Sequence, residues 1–197
     1  MADALYLSIW FPSFTEAEMM PRALSMLRQF PYSGEQPGTS YVAVQPVSWN
    51  EPTVFERRFQ PAVDAEEAVT AAGEFLHQDY AYVFEAYWDL WAPKEGQVAW
   101  AKEPRRVRLV VHGTEFDDGA YQQEGHIRVD FGLDIPFLYE DVKLTAGAEE
   151  RVRANVQKLV AFTSAVEQNC GISGRVLWSE SEENLAQKLI ARLQKVQ

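Results

Sequence analysis

The chain has 197 residues, of which 47% are hydrophobic and 24% charged, a composition typical of a soluble globular protein. Its formal net charge of −11 repels nucleic-acid backbones and anionic lipid surfaces, so we expect neither as a partner. The single cysteine, Cys170, excludes an internal disulfide; together with an N-terminus that lacks the basic region of a signal peptide, it predicts a cytoplasmic protein.

The first 92 residues predict a strand, a helix, two strands, a helix and a strand. The helices begin at two capping boxes, Thr15 with Glu18 and Asp64 with Glu67. This order of elements is that of a ferredoxin-like βαββαβ unit, which we place at residues 1–92. The predicted strands cover residues 5–11, 41–49, 53–60 and 80–91.

A second unit of order ββαβα is predicted for residues 97–197. Two strands with clean alternation precede a long helix that ends before Gly171, where a C-terminal glycine is typical. A short strand and a last helix, capped by Ser179 and Glu182, complete it. We therefore predict the α+β class, with an antiparallel sheet and helices on one of its faces. The two units pack against each other or form one continuous domain. The predicted elements cover residues 105–113, 125–134, 148–169, 175–178 and about 179–195.

Polar side chains at every second position of three strands would share one face of the sheet if those strands are neighbours. Arginines there could bind an anion, and histidines could perform acid–base chemistry. The alternative interpretation is that cross-strand ion pairs solubilise an exposed sheet. The candidate face comprises Glu85, Asp89, Arg106, Arg108, His112, His126, Arg128 and Asp130.

Two further polar clusters favour structural interpretations. The basic run from Lys102 to Arg108 is typical of an edge strand protected by charge. His112 precedes an acidic segment up to Glu124, but the spacing matches neither a zinc motif nor a calcium-binding loop. We therefore interpret that segment as an acidic hairpin tip and expect no metal and no cofactor.

Aromatic residues crowd the strand at 80–91 and point to both of its faces. One face fills the core, and the other needs a cover: the rest of the chain, a second copy of it, or an apolar ligand. The candidate interface residues are Tyr87 and Trp91.

The sequence carries no catalytic motif, which favours a non-enzyme. Our first expectation is a non-catalytic protein-interaction module, with a homodimer through the aromatic sheet face as one form of it. The alternative is a small-molecule-binding protein or an enzyme that uses the Arg/His/carboxylate face. A second alternative, based on net charge and aromatic content, is an acidic inhibitor of a cationic partner, comparable to an immunity protein.

Overall fold

The computed structural model describes residues 2–94, 99–143, 145–180 and 185–194, the last five by backbone only. Its strands are β1 (Ala4–Trp10), β2 (Thr39–Pro46), β3 (Phe55–Val63), β4 (Tyr80–Pro93), β5 (Trp100–His112), β6 (Ile127–Leu133) and β7 (Gly174–Ser179). Its α-helices are α1 (Glu16–Gln29), α2 (Ala65–Gly73), α3 (Tyr121–Glu124), α4 (Ile135–Leu138), α5 (Ala146–Asn169) and α6 (Leu185–Gln194), and a 3₁₀ turn spans Phe116–Asp118.

The seven strands form one antiparallel sheet in the order β3-β2-β4-β5-β6-β1-β7. The long helices pack on one face of this sheet and leave the other face open. The fold class is therefore α+β with an antiparallel sheet, as the alternating pattern predicts. No helix among residues 2–94, 99–143, 145–180 and 185–194 is both long and apolar enough to cross a lipid bilayer.

The core lies between the sheet and the helices and is centred on β4. Trp88 is completely buried there, with its ring centroid 5.8 Å from that of Phe30 at the end of α1 and 5.3 Å from that of Phe131 on β6. Phe162 of α5 meets the Phe30 ring edge-on at 5.5 Å. Each such ring contributes about 2–3 kcal/mol by leaving water, so this cluster fixes α1 and α5 onto the sheet.

The position of β1 differs from that of a ferredoxin-like unit. The element order of the first half is as predicted, yet β1 lies between β6 and β7 rather than among the strands of its own half. The reason is that β4 already pairs with β2 on one side and with β5 on the other, which leaves β1 no edge there. One sheet thus runs through both predicted units, 1–92 and 97–197.

Local signals of the sequence mark the helix ends accurately. The Glu18 carboxylate accepts the Thr15 backbone N–H at 2.8 Å, and the Asp64 side chain accepts the Glu67 N–H at the same distance. Gly171 has a positive φ of 61° directly after the C-cap of α5. Helices α3 and α4 were not predicted because each has only four residues and no periodicity. The predicted cap at Ser179 and Glu182 involves residues 181–184, which lie outside the described residues.

Asn155 of α5 closes an open edge of β4 beyond the end of β2. Its Oδ1 accepts the Trp91 N–H at 2.8 Å, and its Nδ2 donates to the carbonyls of Trp91 at 2.9 Å and of Pro136 at 2.7 Å. Asn155 is only 2% exposed, so the Trp91 N–H and the Pro136 carbonyl depend on it in place of water, whereas the Trp91 carbonyl also accepts the Tyr139 O–H at 3.0 Å. The amide therefore both protects a strand edge and fixes α4 to α5.

Lys188 attaches the C-terminal helix α6 to the end of the sheet. Its Nζ donates to Asp134 Oδ2 at 2.7 Å and to Asp3 Oδ2. Burial alone would lower the pKa of Lys188, but these two hydrogen bonds raise it above its ordinary value. Because Asp134 is 1% exposed, the ammonium neutralises a carboxylate that water does not reach.

Candidate functional site

A row of side chains crosses the open face of the sheet from one edge to the other. Strand pairing places one residue of each strand in this row, from β3 to β7. Most side chains of this row are polar or aromatic and few are aliphatic, which is why water solvates this face of the sheet. In order, the row consists of Arg58, Tyr41, Glu85, Arg108, Asp130, Tyr6 and Trp178.

Glu85 is buried in the middle of this row although it points to the open face. It is 2% exposed, and its Oε2 accepts the Nε–H of Arg108 at 2.7 Å and lies 3.5 Å from Nη1 of Arg106. The two arginine side chains are 43% and 53% exposed, so they cover the carboxylate and still reach solvent. The buried Glu85 carboxylate thus holds the guanidinium groups of both arginines in place.

These arginines line a cleft of about 270 Å³, which we call the arginine cleft. Its opposite wall is the turn from β6 into α4, where Gly132 has a φ of 74° that a side chain would strain. Leu133 and Ile135 on this turn are 51% and 43% exposed and give the wall an apolar surface. The cleft is lined by Arg105, Arg106, Arg108, Asp130, Phe131, Gly132, Leu133, Ile135 and Pro136.

The structure divides the eight predicted site residues among three places. The arginine cleft and the carboxylate beneath it bring together Glu85, Arg106, Arg108 and Asp130. His112 and Arg128 lie at the opposite end of the open face, around α3, and His126 packs between α3 and Phe14 of the core. Asp89 lies apart from both groups and accepts the Gly34 N–H at 3.0 Å. Although burial opposes it, hydrogen bonds from Ser33 and Gly34 lower the pKa of Asp89.

His112 is completely buried and belongs to a small ionic network. Its Nδ1 donates to the Gly125 carbonyl at 2.9 Å, and its Nε2 lies 3.3 Å from Glu124 Oε2. The same carboxylate oxygen contacts Nη1 of Arg128. The close His112 Nε2, assisted by Arg128, holds the pKa of Glu124 below its ordinary value despite burial. This network fastens α3 over the sheet and leaves no open route to the imidazole.

His126 is packed as a neutral ring. Its Nδ1 accepts the Phe11 N–H at 3.0 Å, and its ring stacks between Phe14 at 4.4 Å and Tyr121 at 4.8 Å. Burial, together with the charge of His112, lowers the pKa of His126 to about 4. Because its Nδ1 accepts a backbone hydrogen bond and both ring faces are covered by aromatic rings, His126 serves packing rather than acid–base chemistry.

The acidic segment before Glu124 forms the 3₁₀ turn and α3 rather than a simple hairpin tip. In the parts of the chain that the structure describes, no group of three or more His, Cys, Asp or Glu side chains is arranged to hold a metal ion. Asp117 and Asp118 have positive φ angles of 47° and 53°, which Asp tolerates better than most residues. Their carboxylates face the solvent.

The two predicted interface aromatics, Tyr87 and Trp91, both lie on β4 and are half-buried. The Trp91 ring is flanked by the Lys102 ammonium at 5.5 Å and the Arg151 guanidinium at 5.1 Å from its centroid. Cationic side chains of the same chain therefore cover part of this ring.

The strand that carries the basic cluster is β5, which lies between β4 and β6, so it is not an edge strand of the whole sheet as predicted for Lys102 to Arg108. However, β6 pairs only with Arg108–Val111, so within the described part of the chain residues 102–107 have a strand partner on one side alone. The arginines of this stretch line the cleft beside that edge.

The alternation at residues 125–134 predicts Leu133 on the apolar face with Ile127, Val129 and Phe131, but Leu133 follows Gly132, whose φ is positive, and is 51% exposed on the cleft wall. Ile135 follows the end of this strand and had no signal of periodicity.

No family model matches this chain, and no curated protein or solved structure matches it either.

Proposed function

We propose that this chain binds a small organic anion in the arginine cleft. The observation that carries the proposal is the arrangement of Arg106 and Arg108 on buried Glu85. A guanidinium has five N–H donors in a rigid fork. Arg108 uses its Nε–H on Glu85, so its terminal nitrogens are held in place for another acceptor.

The electrostatics of the cleft differ from those of the chain as a whole. The protein carries a net charge of −11, yet the cleft wall holds three arginines and one aspartate. An anion that enters it meets fixed guanidinium donors on one side and the exposed Leu133 and Ile135 on the other. This combination suits a carboxylate joined to a short apolar body, and the volume of about 270 Å³ limits the ligand to a small molecule.

The test is calorimetric titration of the whole chain with 4-methylpentanoate. We expect saturable binding with a Kd of about 0.1–1 mM, since one charge-assisted pair and a few apolar contacts supply about 4–6 kcal/mol. Arg106→Gln should weaken binding about tenfold or more, because it removes a charged donor without altering a core contact.

Arg58→Gln is the matched control. Arg58 lies on the same open face, stacked on the Tyr41 ring at 4.8 Å, but outside the arginine cleft. It should bind 4-methylpentanoate like the unmodified chain. If the unmodified chain shows no saturable heat up to about 10 mM ligand, or if Arg58→Gln weakens binding as much as Arg106→Gln, the proposal is wrong.

The expectation of a protein-interaction module stays a prediction. The cover that Lys102 and Arg151 give to Trp91 reduces the aromatic surface available to a partner. For that reason the arginine cleft supports a function better than the aromatic face does.

A further inference from the structure

Asp130 places a carboxylate in the same cleft as the arginines without forming an ion pair with them. It is the register partner of Arg108 on the neighbouring strand, and its Oδ1 accepts the Gly132 N–H at 2.8 Å. Arg108 and Arg106 make their ion pairs with Glu85, and Arg128 makes its pair with Glu124. Among the described residues, Asp130 therefore retains a carboxylate that no Lys or Arg neutralises.

We infer that the ligand of the arginine cleft is a zwitterion, namely a free α-amino acid with an apolar side chain. This inference rests on the proposed function and makes its ligand specific. The two arginines receive the carboxylate, and Asp130 receives the ammonium group. The apolar side chain of the ligand lies against Leu133 and Ile135.

The charges on the wall of the arginine cleft favour a zwitterion over a simple anion as the ligand. A carboxylate on the cleft wall repels an anion that brings no positive charge of its own, and in a partly enclosed site this repulsion is only partly screened. A ligand with an ammonium group next to its carboxylate converts the repulsion into an attraction. Phosphate esters would meet the same repulsion with a larger negative charge.

Size favours a free amino acid over a peptide. The cleft of about 270 Å³ is slightly smaller than the range of about 300–1,000 Å³ that is usual for small-molecule sites. In a peptide, the terminal ammonium and carboxylate groups lie at opposite ends of the molecule. Only a free amino acid presents both charges within the reach of Arg108 and Asp130, which face each other on adjacent strands about 5 Å apart.

The test compares three ligands that differ by one group each: leucine, 4-methylpentanoate, which lacks the amine, and 3-methylbutylamine, which lacks the carboxylate. Calorimetric titration of the whole chain should give leucine an affinity at least tenfold higher than either partial ligand. Asp130→Asn should remove this advantage, so that leucine binds about as weakly as 4-methylpentanoate. Its binding of 4-methylpentanoate should be retained or improved, which also shows that the variant is folded.

Asp118→Asn is the control, because Asp118 is an exposed aspartate outside the cleft whose left-handed backbone Asn accepts equally well. It should leave the preference for leucine unchanged. If leucine and 4-methylpentanoate bind equally well and Asp130→Asn changes the affinity of neither, the inference of a zwitterionic ligand is refuted, while the proposal of anion binding stands. If none of the three ligands binds, or if the amine alone binds as tightly as leucine, both proposals fail.

Discussion

Acidification from pH 7 to pH 5 should destabilise this protein through His126. In the folded chain its pKa is lowered to about 4, whereas an unfolded histidine titrates near its ordinary value of about 6.5. Between these values the unfolded chain binds a proton that the folded chain does not, so stability falls as the pH falls. With a shift of this size, the free energy of unfolding should drop by about 2 kcal/mol between pH 7 and pH 5.

Urea denaturation at the two pH values, followed by tryptophan fluorescence, measures this difference. The informative variant is His126→Asn, since the Asn Oδ1 can take the place of Nδ1 and accept the Phe11 N–H. Asn does not titrate between pH 7 and pH 5. The free energy of unfolding of this variant should therefore change by less than about 0.5 kcal/mol over the same interval, apart from the contribution of carboxylates.

His77→Asn is the control for the loss of a histidine as such, because the His77 side chain is 56% exposed. We expect it to keep most of the pH dependence of the unmodified chain. The reasoning is refuted if His126→Asn loses as much stability on acidification as the unmodified chain, or if His77→Asn alone abolishes the loss.

Two further predictions concern buried polar groups. Lys188→Met removes an ammonium that contacts two carboxylates, of which Asp134 is almost fully buried, and should lower the free energy of unfolding by about 3–5 kcal/mol. Lys188→Arg should retain more of this stability, and equal stability of the Met variant at pH 7 would contradict the role of the pair. Asn155→Ala leaves the Trp91 N–H and the Pro136 carbonyl without their hydrogen-bond partner and should lower the free energy of unfolding by about 2–4 kcal/mol in a urea titration. A loss below about 0.5 kcal/mol would mean that water replaces the amide.

The period-two pattern predicted the central part of the candidate face correctly. Alternation along β4, β5 and β6 indicated that Glu85, Arg108 and Asp130 share one side of the sheet, and the register places them directly opposite one another. This succeeds because strands joined by short connections tend to be neighbours, and alternation then fixes which side chains share a face.

The same pattern failed for His126, where the backbone is irregular. Gly125, with a φ of 92°, precedes it, and the ring lodges between Phe14 and Tyr121. Phe14 lies more than a hundred residues away in the sequence, so no local pattern could indicate this contact. The position of β1 escaped prediction for a related reason: its partners β6 and β7 come from the other end of the chain, and local order does not determine long-range pairing.

The burial of Glu85 bears on why the arginines lie where they do. A buried ion pair contributes little net stability, because the cost of removing its charges from water offsets their attraction, and an apolar pair of similar size serves the fold equally well. A solvated sheet face could carry Arg106 and Arg108 with exposed partners at no such cost. Placing their carboxylate underneath, at 2% exposure, instead fixes both guanidinium groups at the floor of a cleft. A geometry that adds little to folding but orients two hydrogen-bond donors is expected of a binding site, and that is the physical basis for proposing a ligand in this cleft.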